Sequence, residues 1–197
     1  MTKRLTLLRH GRTGYPGRYI GASDVALSPE GREQIAGLGA IVSGHTTDTI
    51  LSSPMLRCRQ SSEILFPDHQ IVYDEDLREI DFGRWEGLTF QEIVEKDPER
   101  VEQWADWSLD FCFPEGECIG DFVQRVHGAG ERVAASAAEN VLLIAHGGVI
   151  RALLCYFLKL EPSEYLLFQV KKACFASLEL YPEGAVLTGL NLGSQKI

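Results

Sequence analysis

A chain of 197 residues with 45% hydrophobic and 24% charged residues has the make-up of one ordinary globular domain, which excludes a disordered tail or a membrane-embedded bundle. The formal net charge of −9 argues against a nucleic-acid partner, because no basic face would dominate such a surface. The opening MTKRLTLLRHG has only Leu5, Thr6, Leu7 and Leu8 before Arg9, too short for a signal-peptide core or a span, so a cytoplasmic protein with no membrane partner is expected.

Strand-like apolar runs alternate with segments of helical period, the pattern of an α/β sheet layered between helices. Residues 4–9 (RLTLLR) predict a buried strand ending at His10-Gly11. Ser28 as N-cap and Pro29 at the first helical position open a helix expected to reach Ser43, with Ile35, Leu38 and Val42 on one face. A short strand over 49–52 hands over at Ser53-Pro54 to a second helix, whose buried side is expected to include Leu56, Ile64 and Leu65. QIVY (70–73) predicts a further strand, followed by a loop, DEDLREIDFGRWEG. Thr89 and Glu92 have capping-box spacing, and Pro98 should break the helix they start. LDFCFPEGEC (109–118) predicts an irregular linker, and Phe122, Val126, Ala129, Val133 and Ala137 a helical stripe within 121–139. NVLLIA (140–145) is the clearest buried strand, stopping at His146-Gly147-Gly148 before the helix VIRALLCYFL. FASLEL and AVLTGL around Pro182-Glu183-Gly184 predict an antiparallel hairpin at the sheet edge.

The five cysteines (58, 112, 118, 155 and 174) have no CxxC pair and no metal-ligand spacing, so reduced core thiols are expected and no metal. Core packing is the expected role of Trp85, Trp104 and Trp107, the last two on one face of the helix after Pro98. Asp74 and Asp76 form a D-x-D, but Arg78 follows where an aspartyl-phosphate site has Thr or Val, so an exposed turn is expected.

His10 and His146 each lie just past an apolar strand and beside glycine, and ligands of open α/β sheets bind beyond the carboxyl ends of such strands. Either histidine alone would read as structural. Together they point to a site. Arg9 adds a permanently charged fork of donors suited to phosphate oxygens, and His10 a nucleophilic ring nitrogen. In SSPMLR (52–57) a helix start favours an anion and Arg57 projects from its first turn. Cleaving a phosphate monoester also needs a proton for the departing alkoxide, for which Glu79, Asp81 and Glu86 are candidates that spacing does not separate.

LLRHG, GRYIGASDVALSPEG, SSPMLR, LREIDFGRWEG and AHGGVIR, in this order, resemble the histidine phosphatase superfamily, which includes cofactor-dependent phosphoglycerate mutase. The resemblance covers essentially the whole chain. It implies a single domain over 1–197 with a phosphoglycerate mutase-like three-layer α/β/α fold and a central, mostly parallel sheet. It also implies a metal-independent phosphomonoesterase, needing no cofactor, in which His10 takes the phosphoryl group. Arg9, Arg57 and His146 would then surround the phosphate, Glu79 would be the proton donor, and Gly21 and Gly147 would bring backbone close to substrate. A bell-shaped pH profile would follow from His10 acting unprotonated and Glu79 protonated.

The chain departs from the family after RHG, where Arg12, Thr13, Gly14, Tyr15 and Pro16 form a run two residues shorter, without the Asn that helps hold phosphate. Arg12 or Arg18 would compensate as substrate contacts. PEGEC replaces the family's PGGES, placing Cys118 where Ser is usual. Mutases of the family are longer, so hydrolysis of the phosphohistidine is favoured here over transfer back to a product. Within the family the chain is most similar to α-ribazole phosphatases, which implies α-ribazole 5′-phosphate as the small phosphorylated metabolite and a place in cobalamin assembly. The alternatives are a broad-specificity sugar or small-metabolite phosphatase, a phosphoglycerate mutase, and a phosphate-ligand binding module without catalysis.

Overall fold

The computed structural model describes residues 3–42 and 46–193, which form a six-stranded sheet in the order β3-β2-β4-β1-β5-β6. The strands are β1 (Lys3–Arg9), β2 (Thr49–Ser52), β3 (Ile71–Tyr73), β4 (Asn140–Ala145), β5 (Phe175–Tyr181) and β6 (Gly184–Leu192). Pairing is parallel from β3 through β1, and antiparallel in the β5-β6 hairpin at the edge. Two-sided burial explains the near-continuous apolar character of β1 and β4. Val141, Leu143 and Ala145 face one cluster, whereas Leu142 and Ile144 face the other, so helices cover both faces.

The second cluster packs under α1 (Pro29–Ala36), α2 (Gly39–Val42) and α3 (Leu56–Leu65). Ser28 caps α1 by accepting from the Gly31 N–H, but the helix does not run on as expected. It stops at Gly37 and a separate turn starts at Gly39, because two glycines in this stretch weaken the helix while Leu38 and Val42 still reach the core. Ser43 lies outside the described residues. On α3 the expectation fails more informatively. Arg57, Cys58, Ser61 and Ser62 are buried, while Leu56, Ile64 and Leu65 are only half-buried, so this helix turns a polar side inward.

The first cluster lies under α4 (Phe90–Lys96), α5 (Pro98–Ala105), α6 (Ile119–Ala135) and α7 (Gly147–Leu158). The capping box at Thr89 and the break at Pro98 are both present. Helix α6 begins two residues before the expected start and ends at Ala135 with Ser136 as its C-cap, leaving Ala137 exposed and beyond it. The stop is tertiary. Lys3 Nζ donates to the carbonyls of Val133 at 2.6 Å, Ala134 at 3.0 Å and Ser136 at 2.7 Å, satisfying orphan acceptors at the helix end.

The cysteine expectation needs correcting. Cys112 and Cys118 are joined by a disulfide, and only Cys58, Cys155 and Cys174 are free and buried. The linker folds back on itself, with Phe113 N donating to Glu117 O and Ile119 N to Phe111 O, which sets the two cysteines directly opposite in the close, non-hydrogen-bonded type of antiparallel pair. Among the described residues no helix is long and apolar enough to cross a membrane.

Candidate active site

Strand register builds the site. Leu7 pairs with Leu143 and Arg9 with Ala145, so β1 and β4 end side by side and His10 and His146 follow them together. The His10 N–H donates to the Ala145 carbonyl at 3.1 Å, and the two imidazole centroids are 5.2 Å apart. Both rings are buried, and their pKa values lie well below the usual range, first because burial penalises the charged form and then because Arg57 adds positive charge nearby.

Neutral rings have one N–H each, and the partners fix where it sits. His10 Nδ1 lies 2.7 Å from the Gly11 carbonyl, which can only accept, so Nδ1 carries the proton and Nε2 keeps its lone pair. His146 is set the other way. Arg57 Nε donates to its Nδ1 at 3.1 Å, leaving Nε2–H to donate to Ser53 Oγ at 2.8 Å. Cys58 Sγ also touches this ring, and burial pushes its thiol up to about 12, so it is not a competing nucleophile.

Arg57 is 1% exposed, yet no carboxylate pairs with it among the described residues. Its Nη2 donates to the Gly21 carbonyl and its Nη1 to the Ser23 carbonyl, each at 2.8 Å. That loop is itself pinned by Glu86, whose carboxylate accepts from the N–H groups of Gly21, Ala22, Ser23 and Phe82 and from Ser23 Oγ. A Cβ at Gly21 would run into the Ile80 carbonyl, so glycine is required there by protein packing. Arg9 donates from Nη1 to the Val170 carbonyl at 2.7 Å, and a Cβ at Gly147 would sit 3.1 Å from its guanidinium carbon.

The structure separates the three carboxylates that spacing could not. Glu86 is committed to the 21–23 loop, and Asp81 accepts from Gly83 N at 2.8 Å. Glu79 stands at the cleft, held by the N–H of Gly148 at 3.0 Å and of Ile80 at 3.2 Å. Gly148 is a site residue the sequence reading missed, since a Cβ there would strike the Glu79 carboxylate. The anion at the start of α3 is the protein's own: Asp24 Oδ1 accepts from Leu56 N at 2.6 Å. Asp74 and Asp76 share Arg132.

Arg12 is drawn to Glu30 at the surface, and Arg18 donates to the Gly87 carbonyl and to Glu92 at the rim of the cleft. The cation that does stand near the buried cluster is Lys172, half-buried, with its pKa lowered by burial and by Arg9. It is placed there because the following residue, Ala173, donates its N–H to the carbonyls of Arg9 and His10. No motif marked it.

A cleft of about 400 Å³ opens from Arg9, Glu79, Gly147 and Gly148 between aromatic walls that include Tyr19, Phe82 and Phe113. Trp85 is core, and Trp104 and Trp107 pack against the same cluster, as expected, while also lining this cleft. Helix α5 ends before Trp107, whose positive φ of 36° turns it out of the helical stripe.

A family model described as histidine phosphatase superfamily (branch 1) matches residues 5–193. The chain belongs to this superfamily. An Escherichia coli (strain K12) adenosylcobalamin/alpha-ribazole phosphatase is 29% identical over 95% of this chain and 95% of its own length. A Triticum aestivum 2-carboxy-D-arabinitol-1-phosphatase is 32% identical over 89% of this chain, which spans 36% of that longer protein. The solved mycobacterial glucosyl-3-phosphoglycerate phosphatase in complex with VO3 is 28% identical and superposes with a TM-score of 0.82, covering 96% of this chain and 98% of that one. Membership and these relatives support a catalytic phosphatase on a phosphoglycerate mutase-like fold.

Glu86→Ala should destabilise the protein by about 3 kcal/mol, since it strips an ionised acceptor from several N–H groups at once. Glu30→Ala, which breaks only an exposed pair with Arg12, should cost less than about 1 kcal/mol. Urea unfolding of both variants checks the order, and equal losses would contradict it.

The neutral histidines make stability pH-dependent. Their folded pKa values lie below the unfolded value near 6.5, so unfolding takes up protons in the window beneath it. Stability should be fully present above about pH 7 and fall on acidification, by up to about 1.4 kcal/mol per pH unit for each ring. Urea midpoints at about pH 7.5 and 5.5 measure this, and a midpoint that holds or rises at the lower pH refutes it.

Proposed function

We propose that this chain hydrolyses phosphate monoesters of small metabolites through a phosphorylated His10, without a metal. The observation that carries the reading is the His10 tautomer: its Nδ1–H is held by Gly11, so the Nε2 lone pair is free in a ring that burial keeps neutral. Nε2 attacks phosphorus, and the bond to the alcohol oxygen breaks. Remaining N–H groups of Arg9 and Arg57 stabilise charge on the phosphoryl oxygens, with His146 holding Arg57 in place. Glu79 gives its proton to the departing alkoxide, then takes one from the water that attacks phosphohistidine, which releases phosphate and restores the ring.

For the substrate, α-ribazole 5′-phosphate is favoured, which would place the enzyme in cobalamin assembly. The Escherichia coli relative matches nearly end to end, and the aromatic walls around Tyr19, Phe82 and Phe113 suit a flat base. Arg12 and Arg18, both engaged with carboxylates, would reach substrate only by exchanging those partners.

In excess chelator the protein should cleave p-nitrophenyl phosphate, and His10→Ala should abolish turnover. Glu79→Gln should lose roughly 10²-fold or more on an alkyl phosphate but far less on the nitrophenyl ester, whose leaving group needs little protonation. Equal losses on the two esters would remove Glu79 from the proton step. An active His10→Ala protein would sink the mechanism, and a wild type silent on α-ribazole phosphate and every other ester tried would leave a binding module.

A further inference from the structure

Among the described residues, three buried side-chain nitrogens lack a hydrogen-bond partner: Arg9 Nε, Trp107 Nε1 and His127 Nε2. All three residues line the one aromatic cleft. A buried polar group left unpaired weakens a fold, so three around one cleft mark where a ligand supplies the missing partners. Arg9 belongs to the phosphate end. Trp107 and His127 do not, and nothing in the reaction above uses them.

His127 stands on the wall built by α6, α7 and the turn Pro162–Leu167, and Trp107 joins it from the segment that follows α5. His127 projects from α6 and stacks its ring 5.0 Å from Tyr156 of α7. Burial lowers its pKa, so it meets a ligand as the neutral ring. The Trp107 indole leans on Tyr165, with ring centroids 6.2 Å apart, and its N–H lowers the phenol's burial-raised pKa. Arg151 completes the wall, anchored through Nε to the Phe168 carbonyl at 2.8 Å and paired with no carboxylate among the described residues. An indole N–H and a guanidinium can only donate, and a neutral histidine can donate from either nitrogen.

We infer that Trp107, His127 and Arg151 form a leaving-group subsite that selects phosphate monoesters whose alcohol carries a flat ring with a hydrogen-bond acceptor, such as a ring nitrogen, at the end remote from the phosphate. The inference rests on the phosphatase reading and adds to it the residues that read the alcohol. The cleft's aromatic sides fix the plane of the ring, and the donor wall fixes which ring is accepted. A carbocycle of the same shape fills the same volume but leaves the donors unpaired, and a site built to hydrogen-bond its substrate rejects the analogue lacking that group far more strongly than it rejects a small change in size.

The test compares 1-naphthyl phosphate with 5-quinolinyl phosphate, two esters of nearly equal shape that differ in one ring nitrogen. The readout is the ratio of their kcat/KM values, and its change on substitution, in which the intrinsic reactivities of the esters and any loss of folded protein cancel. Wild type should favour the quinolinyl ester, and His127→Phe and Trp107→Phe should each shrink the ratio by roughly tenfold. Arg151→Met should shrink it in the same direction. Turnover of both esters with a ratio that none of the three variants moves overturns the subsite and leaves the phosphatase standing. No turnover of either ester by wild type overturns the subsite, and turnover of p-nitrophenyl phosphate in excess chelator then decides whether the phosphatase reading stands.

Discussion

The constraint on which the rest depends is the burial of the Arg57 guanidinium, with the half-buried Arg9 beside it, next to His10 and with neither in ion-pair contact with a carboxylate among the described residues. Uncompensated buried charge costs several kcal/mol, so each must be held by other means. Arg9 leans on the Val170 carbonyl and Arg57 on those of Gly21 and Ser23, which Glu86 fixes from behind. The carboxylate is thus one layer away from the cation. That distance leaves the inner positions electropositive and open to an anion, in a chain whose net charge is −9. A direct ion pair would have stabilised the fold more simply and closed the site.

Much of this was legible in the sequence because the relevant rules are local. Alternation of apolar strands with periodic helices gave the layers, and glycine next to histidine after β1 and β4 marked the sheet end where chemistry sits. Where the expectations failed, a partner distant in sequence decided. Lys3 ends α6, one cysteine meets another across a folded linker, and α3 faces inward with Arg57 and two serines because the site lies on that side. Periodicity had assigned that inward face to Leu56, Ile64 and Leu65, since hydrophobicity is a reliable guide to the core and a poor one to a buried polar site.

The same limit explains the carboxylates and the arginines. Glu79, Asp81 and Glu86 share one loop and one chemistry, and nothing within the segment distinguishes them. What does is the company each keeps: Glu86 meets a row of N–H groups from residues 21–23, whereas Glu79 meets the start of α7 at Gly148, beside the cleft. Arg12 and Arg18, prominent in the stretch that departs from the family, are answered by Glu30 and Glu92. Lys172, which no motif flagged, stands near the cations because Ala173 is tied to the backbone of Arg9 and His10.

The two histidines carry the point furthest, because strand register makes them equivalent and their partners make them different. A carbonyl at Nδ1 of His10 leaves the opposite nitrogen basic and unshared. A guanidinium at Nδ1 of His146 consumes that lone pair, and Ser53 takes the remaining N–H. One ring therefore keeps the lone pair that the proposed mechanism uses, and the other is spent on orienting Arg57. Burial depresses both pKa values, and the effect serves them differently: it keeps the first nucleophilic, and it keeps the second able to accept from Arg57, a bond that protonation of Nδ1 would break. A charge added to either ring would also repel the guanidiniums the site depends on. The neutrality of the pair and the positive charge around it are thus a single design, and it is the one the proposed phosphoryl transfer requires.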